Sequence, residues 1–134
     1  MKPYLIFLFL FFSNKSFAEW TLIYESPDSG SRYYANLIDI KTIKKFSKLR
    51  LWTVEDFNTL QKVANYQYLS VKSFAEFDCK KSQIRIMGYS LYQENMAKGK
   101  VIFSKGTPFN WEKINKNTMN DVYLKIACNE TGLS

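Results

Sequence analysis

The chain has 134 residues, of which 46% are hydrophobic and 17% aromatic, and its formal net charge is +7. It contains no histidine and only two cysteines. It therefore lacks the usual base for a serine or cysteine nucleophile and the commonest zinc ligand, and two distant cysteines supply no closed four-ligand metal site. We expect no metal and no cofactor, because metal catalysis would need carboxylates alone, for which the candidate pairs are Glu55–Asp56 and Glu76–Asp78.

The first 18 residues are typical of a cleaved secretory signal peptide. Lys2 precedes a continuous apolar run, and Ser16-Phe17-Ala18 fits the small-x-small site of signal peptidase. The run covers about nine residues, too few for the roughly 20 that a membrane-spanning helix needs. We expect cleavage after Ala18 and a single domain over residues 19–134, with no integral membrane segment left. We also expect no lipid anchor, because the first cysteine is Cys79.

Export would constrain both the partners and the cysteines. Cleavage removes two lysines and leaves a moderately basic protein, which suits an acidic glycan or anionic headgroups. Nucleic acid is not expected, because an exported protein meets little of it. In an oxidising compartment Cys79 and Cys128 are predicted to form a disulfide. That bond closes a loop of about 50 residues, for which chain entropy gives about 4 kcal/mol of stabilisation.

The first half of the mature sequence alternates as strands do. WTLIYES (20–26), a turn at PDSGSR, and RYYAN (32–36) predict a hairpin. LIDIKTIKKFSK (37–48) is interpreted as a connection with a helical turn. KLRLWTV (48–54) predicts a third strand, and VEDFNTLQKVANYQ (54–67) is interpreted as a long hairpin loop because it is polar and rich in asparagine and glutamine.

The second half predicts three more strands and then a helix. YLSVKSFAEFD (68–78), QIRIMGYSLYQ (83–93) and KVIFS (100–104) are rich in branched and aromatic residues, which favours strands. The period then changes, and a helix is predicted over 118–128 from apolar residues at i, i+3, i+4 and i+7, namely Met119, Val122, Tyr123 and Ile126. We therefore predict an α+β fold with an antiparallel sheet of about six strands.

The predicted helix has only a narrow polar stripe. Asn117 or Thr118 is expected to cap its start, and Asp121 and Lys125 are spaced as an i, i+4 ion pair. A helix that is apolar around most of its circumference should lie against the sheet. A bond from Cys128 to the sheet would hold it there.

Glu76 and Asp78 form the carboxylate pair of greater chemical interest. Their i, i+2 spacing on a strand places them on one face, where repulsion raises one pKa and suits acid–base work. A small hydrolase is therefore one alternative. Lys72 on the same face and Arg85 across the turn supply local partners, so we interpret the pair as structural.

Two further features suggest binding. The densest basic cluster has an aromatic residue, Phe46, within it and is a candidate site for a polyanion; its members are Lys41, Lys44, Lys45, Lys48 and Arg50. The alternative is an ordinary solvated surface. Most aromatic residues must belong to the core, but some are candidates to line a pocket for an apolar ligand on the sheet.

These stretches, in order, resemble the surface-adhesin protein E family of Gram-negative envelope proteins. The resemblance runs from EWTLIYES through LRLWTVEDF, SVKSFAEFDCKKSQIRI and PFNWEKINKNT to the final cysteine. It rests most on the family-motif residues Lys72, Glu76, Asp78, Arg85 and Trp111, which we take as structural. Lys116 departs from the pattern, because the family has a proline near this point.

The resemblance implies a curved sheet, with the C-terminal helix on its concave face and tethered by a Cys79–Cys128 disulfide. It also implies a non-enzymatic adhesin that binds extracellular-matrix and plasma proteins, with a homodimer left open. We expect an exported binding module of the envelope, at the cell surface or in the periplasm, with an extracellular protein or acidic glycan as its partner. The other alternative is a periplasmic accessory protein that binds an apolar ligand or an envelope partner.

Overall fold

The computed structural model describes residues 20–133, so the predicted signal peptide lies outside the described residues. The described part contains a single sheet and one α-helix, with two short 3-10 helices at Lys44–Phe46 and Asn95–Ala97. The elements are β1 (Thr21–Glu25), β2 (Arg32–Ala35), β3 (Lys41–Ile43), β4 (Lys48–Val63), β5 (Tyr66–Asp78), β6 (Gln83–Tyr92), β7 (Val101–Lys105), β8 (Glu112–Lys113) and α1 (Met119–Thr131).

All strand pairs are antiparallel. The six longer strands follow the order β1-β2-β4-β5-β6-β7, while β3 pairs with β4 and β8 pairs with β6. The outer strands β1 and β7 do not pair with each other, so the sheet is open. The predicted α+β fold, with about six main strands and a C-terminal helix, is confirmed.

The stretch 54–67 is not a loop, and that prediction was wrong. β4 continues to Val63 and β5 begins at Tyr66, so the two strands meet in a tight turn at Ala64 and Asn65. Ala64 has φ +50°, the left-handed conformation that such turns need. Asparagine and glutamine are tolerated here because the turn end of the β4–β5 hairpin is mostly exposed on both faces. The sequence of this part therefore shows no alternation of apolar and polar residues.

Two short strands were also missed. β3 and β8 are three and two residues long, which is too short for a period-2 pattern to be recognised. The helical turn expected between 37 and 48 is confirmed as the 3-10 helix at Lys44–Phe46.

The apolar core lies between α1 and one face of the sheet. From the strands it takes Leu49 and Leu51 of β4 and Phe77 of β5, whose side chains are fully buried. From the helix it takes Tyr123, Leu124, Ala127 and Cys128. We call this side of the sheet the helix face.

The start of α1 and its attachment match the sequence prediction, while its end lies three residues beyond the predicted Cys128, at Thr131. The Thr118 hydroxyl caps the helix by accepting a hydrogen bond from the Asp121 amide at 3.3 Å, and Lys125 donates to Asp121 at 2.9 Å. The Cys79–Cys128 disulfide is present, with Cα atoms 6.0 Å apart. It joins the turn after β5 to the last turns of the helix.

Candidate functional site

The opposite side of the sheet, which we call the open face, carries a different chemistry. Alternate residues of a strand point to opposite faces, so the neighbours of the buried leucines in β4 lie on the open face. Cross-strand pairs place Arg50 beside Glu76 and Trp52 beside Phe74. The next strand adds Arg85 on the other side of Glu76.

Glu76 is the central acid of this face. Its Oε2 accepts a hydrogen bond from Arg50 Nε at 2.8 Å, and its Oε1 accepts one from Arg85 Nη2 at 2.7 Å. Burial by itself would raise the pKa of Glu76, but the two arginine hydrogen bonds outweigh burial and hold the pKa below its usual value. A carboxylate that stays ionised at neutral pH is a poor general acid.

Asp78 has a separate task. Its Oδ1 accepts hydrogen bonds from the backbone amides of Lys80 and Lys81 at 3.0 and 2.9 Å, which fixes the turn between β5 and β6. The two carboxylates therefore have different partners, and these contacts favour the structural interpretation. Lys72 was expected to pair with these acids, but the two ion pairs of Glu76 are made by arginines. The Lys72 ammonium instead lies 4.7 Å from the centroid of the Trp52 ring.

Aromatic rings alternate with cations across the open face. Trp111 has Lys48 Nζ at 5.0 Å and Arg85 Cζ at 4.9 Å from its ring centroid, so two cations contact one indole. Trp52 stacks on Phe74 with ring centroids 4.5 Å apart. We call the partly exposed set the basic-aromatic face; its members are Lys48, Arg50, Lys72, Arg85, Trp52, Phe74 and Trp111.

The predicted basic cluster is only partly brought onto this face. Lys48 and Arg50 belong to the basic-aromatic face. Lys41 is the cross-strand partner of Arg50, and Lys44 and Lys45 lie exposed on the 3-10 helix beside it. Phe46 lies within 6 Å of two of these ammonium groups. The cluster is thus continuous with the face rather than a separate patch.

The loop that contains the second 3-10 helix limits the open face at its far end. Asp56 accepts hydrogen bonds from the Asn95 side chain at 3.0 Å and the Met96 amide at 2.8 Å. Ser70 donates to the Glu94 carbonyl and accepts from the Ala97 amide. Both side chains are buried by these contacts, so the accessible part of the face begins at Trp52 and Lys72.

More lysines surround the disulfide. A cavity of about 710 Å³ lies beside the Cys79–Cys128 bond, and its lining includes four lysines, namely Lys81, Lys113, Lys116 and Lys125. Its one acid, Asp121, is already paired with Lys125 at 2.9 Å. This end of the molecule is therefore strongly positive.

Sequence reasoning missed Trp52 and Phe74 as members of the face. The signal was available, because KLRLWTV alternates and places Trp52 on the same side as Arg50. Phe74 could be matched to Trp52 only after the register of β4 and β5 was known.

The described residues contain no group of three or more histidine, cysteine or acidic side chains arranged to hold a metal ion. Among residues 20–133 there is also no helix that is both long and apolar enough to cross a membrane.

The family model for surface-adhesin protein E matches residues 20–129. The chain belongs to the surface-adhesin protein E family. This membership supports an adhesin-like protein of the bacterial envelope, exported to the cell surface, and it points to a non-enzyme. The resemblance drawn from the sequence is thereby confirmed.

Solved structures of Haemophilus influenzae protein E share the fold of this family member. Crystal form II has 15% sequence identity and a TM-score of 0.63, and the match covers 75% of this chain and 82% of that chain. A second structure has 15% identity and a TM-score of 0.62, and the match covers 76% and 80% of the two chains. At this level of identity the likeness establishes the fold alone. A search of curated proteins found no match.

Proposed function

We propose that the protein is an exported, non-catalytic binding module that uses the basic-aromatic face to hold an acidic glycan. The observation that supports this most is the composition of the face. Four cations flank two tryptophan rings and a phenylalanine ring, and the two acids on this side of β5, Glu76 and Asp78, are buried and already accept hydrogen bonds. Family membership supports adhesion as the wider role.

The chemistry of the face suits sulfated or carboxylated sugars. Arginine presents a planar set of donors that matches carboxylate-like groups, and the bonds to Glu76 hold both guanidinium groups in place before a ligand arrives. Aromatic rings offer flat apolar surfaces to the C–H faces of sugar rings. Pre-ordered donors reduce the entropy lost on binding.

Heparin affinity chromatography tests this proposal with a matched pair of variants. The variant Lys48→Gln/Lys72→Gln removes two cations of the basic-aromatic face, and we expect it to elute at clearly lower salt than the wild type. The control Lys62→Gln/Lys100→Gln removes two exposed lysines elsewhere, with the same change in net charge. Equal losses in both variants would mean that heparin responds only to total charge, and the proposed face would be rejected.

Location can be tested on intact cells. Adhesion requires that added protease, or an antibody to the folded protein, reaches the chain from outside. Protein confined to the periplasm would exclude adhesion and would favour an accessory role with an envelope partner.

The hydrolase alternative gains no support from this face. Glu76 has a lowered pKa and both of its oxygens are engaged by arginines. A hydrolytic activity that disappears in Glu76→Gln while the fold is retained would reverse this conclusion.

A further inference from the structure

The helix face contains a second recess that the core does not fill. A groove of about 280 Å³ lies where strands β2, β4, β5 and β6 meet the first turns of α1. Its inner wall is apolar and includes Phe77, while Thr53 and Ser73, which are direct cross-strand partners, place two hydroxyls along it. Glu55 of β4 and the rings of Tyr33 and Tyr123 complete the lining.

Glu55 is half-buried and has no salt-bridge partner in residues 20–133. The buried Asp56 and Asp78 also have none, but each accepts two hydrogen bonds instead. Burial raises the pKa of Glu55, and the nearby Tyr33 hydroxyl offsets this only in part. A half-buried carboxylate without a cation costs stability, so packing alone does not account for it.

The titratable groups that respond to the charge of Glu55 are tyrosines. Tyr33 lies on β2, Tyr68 on β5 and Tyr123 on α1, and each is close enough to Glu55 for the carboxylate charge to raise its pKa. Tyr123 is fixed by a hydrogen bond from its hydroxyl to the Tyr34 carbonyl at 3.3 Å. The carboxylate therefore lies near aromatic rings and hydroxyl groups of β2, β5 and α1, and no salt bridge to it is formed within residues 20–133.

This combination matches one kind of guest. An ammonium group is attracted by a carboxylate and by the faces of tyrosine rings, and it donates up to three hydrogen bonds, which hydroxyl oxygens such as those of Thr53 and Ser73 can accept. An aliphatic stem would lie on the apolar wall. The groove is slightly smaller than the roughly 300–1,000 Å³ of drug-sized ligand sites, which suits one alkyl chain rather than a ring system.

We propose that this groove binds a primary alkylammonium group on a short aliphatic stem, with Glu55 as its counter-ion. A lysine side chain of a partner protein and a free aliphatic amine share this chemistry. The site is on the opposite face of the sheet from the basic-aromatic face, so it does not depend on the proposed glycan binding.

Titration of the mature protein with Nα-acetyl-lysinamide, followed by NMR chemical shifts, tests the site. The expected result is saturable binding with shifts that cluster around the groove. The norleucine analogue has the same stem without the ammonium group, and we expect it to bind at least tenfold more weakly to the wild-type protein. Equal binding of the two ligands would overturn the proposal without any need for a variant.

Variants then assign the counter-ion. Glu55→Gln should weaken lysinamide binding at least tenfold, Glu55→Asp should retain part of it, and Glu25→Gln, which removes an exposed acid of β1, should leave it unchanged. Full binding by Glu55→Gln would overturn the assignment. If a lysine-containing peptide binds much more tightly than lysinamide, the source of the ammonium group is a lysine side chain of a protein. If the two bind equally, the groove recognises only the alkylammonium group, as it would in a free amine.

The free protein supplies an independent readout. Because the folded-state pKa of Glu55 is raised, its ionisation destabilises the fold as pH rises through that pKa. Glu55→Gln should therefore have a higher thermal midpoint than the wild type at neutral pH, and this gain should vanish below the ordinary pKa of a glutamate. Lysinamide binding to the wild type should strengthen over the same pH range, since the facing tyrosines remain neutral there. A lower midpoint for Glu55→Gln at neutral pH would mark Glu55 as a structural residue and contradict the proposal.

Discussion

The two faces of the central strands differ in chemistry although alternating residues of the same short stretches of sequence supply both. On the helix face, Leu49 and Leu51 of β4 are fully buried under α1. On the open face, the intervening Arg50 forms an ion pair with Glu76 of β5. A single alternating strand thus supplies part of the core and part of a charged surface, because successive side chains point in opposite directions.

This difference separates stability from recognition. Apolar burial and the disulfide stabilise the helix face, and their contribution to folding is direct. Ion pairs contribute less to net stability, because desolvation offsets much of the attraction. Substitutions on the helix face should therefore act mainly on unfolding, and those on the open face mainly on binding.

Two phenylalanines of β5 test this comparison most strongly. Phe77→Ala leaves a cavity in the core and should lower the free energy of unfolding by about 3–5 kcal/mol, as is usual for a buried phenylalanine. Phe74→Ala removes a partly exposed ring from the open face and should cost roughly 1–2 kcal/mol, since less apolar area is lost. Urea unfolding measures both. Similar losses would show that the open face is as important for folding as the core.

Removal of the disulfide should have an effect of comparable size. Cys79→Ser/Cys128→Ser, or reduction of the native protein, should cost about 4 kcal/mol for a loop of this length. The double variant measured with and without reductant is its own control, because it should not respond to reductant. Heparin binding should persist wherever the fold does, since the basic-aromatic face does not include the sulfur atoms.

A smaller effect is expected from the acid of the open face. Glu76→Gln leaves two partly exposed arginines without their carboxylate and should cost about 2 kcal/mol, the range for hydrogen bonds to charged groups. The matched substitution Glu25→Gln breaks an exposed pair with Arg32, in which both side chains are about half accessible, and should cost clearly less than Glu76→Gln, because exposed ion pairs contribute little to stability. Equal costs in urea unfolding would contradict the special position of Glu76.

The pH dependence of stability gives the finest test. Because the pKa of Glu76 is lowered in the fold, its contribution is complete above the unfolded pKa, near 4.5, and is lost as pH falls through the folded pKa. Wild-type stability should therefore decline below about pH 4.5, and Glu76→Gln should decline less over the same range. Parallel acid profiles for the two proteins would show that Glu76 does not contribute in this way.

The sequence predicted the fold better than it predicted the face. Alternation identified the main strands, and the 3.6-residue period identified α1, because both patterns follow from burial on one side. The pairing of Arg50 with Glu76 was not predicted, since it depends on the register of β4 and β5. That register is set by the turn at Ala64 and by an irregularity between Asp56 and Gln61, both within the exposed stretch that was interpreted as a loop. Glu55 was noted only as a possible metal ligand, because its groove exists only once α1 is packed beside β4.

The position of the disulfide also affects when the molecule can be completed. Cys128 lies in the last helix and Cys79 in the middle of the chain, so the bond cannot form until synthesis has passed Cys128 and both sulfurs have reached an oxidising compartment. A chain still in the cytoplasm would lack this link and would be easier to keep unfolded for translocation. Oxidation would then complete folding on the far side of the membrane and make the return to an unfolded, transportable chain unfavourable.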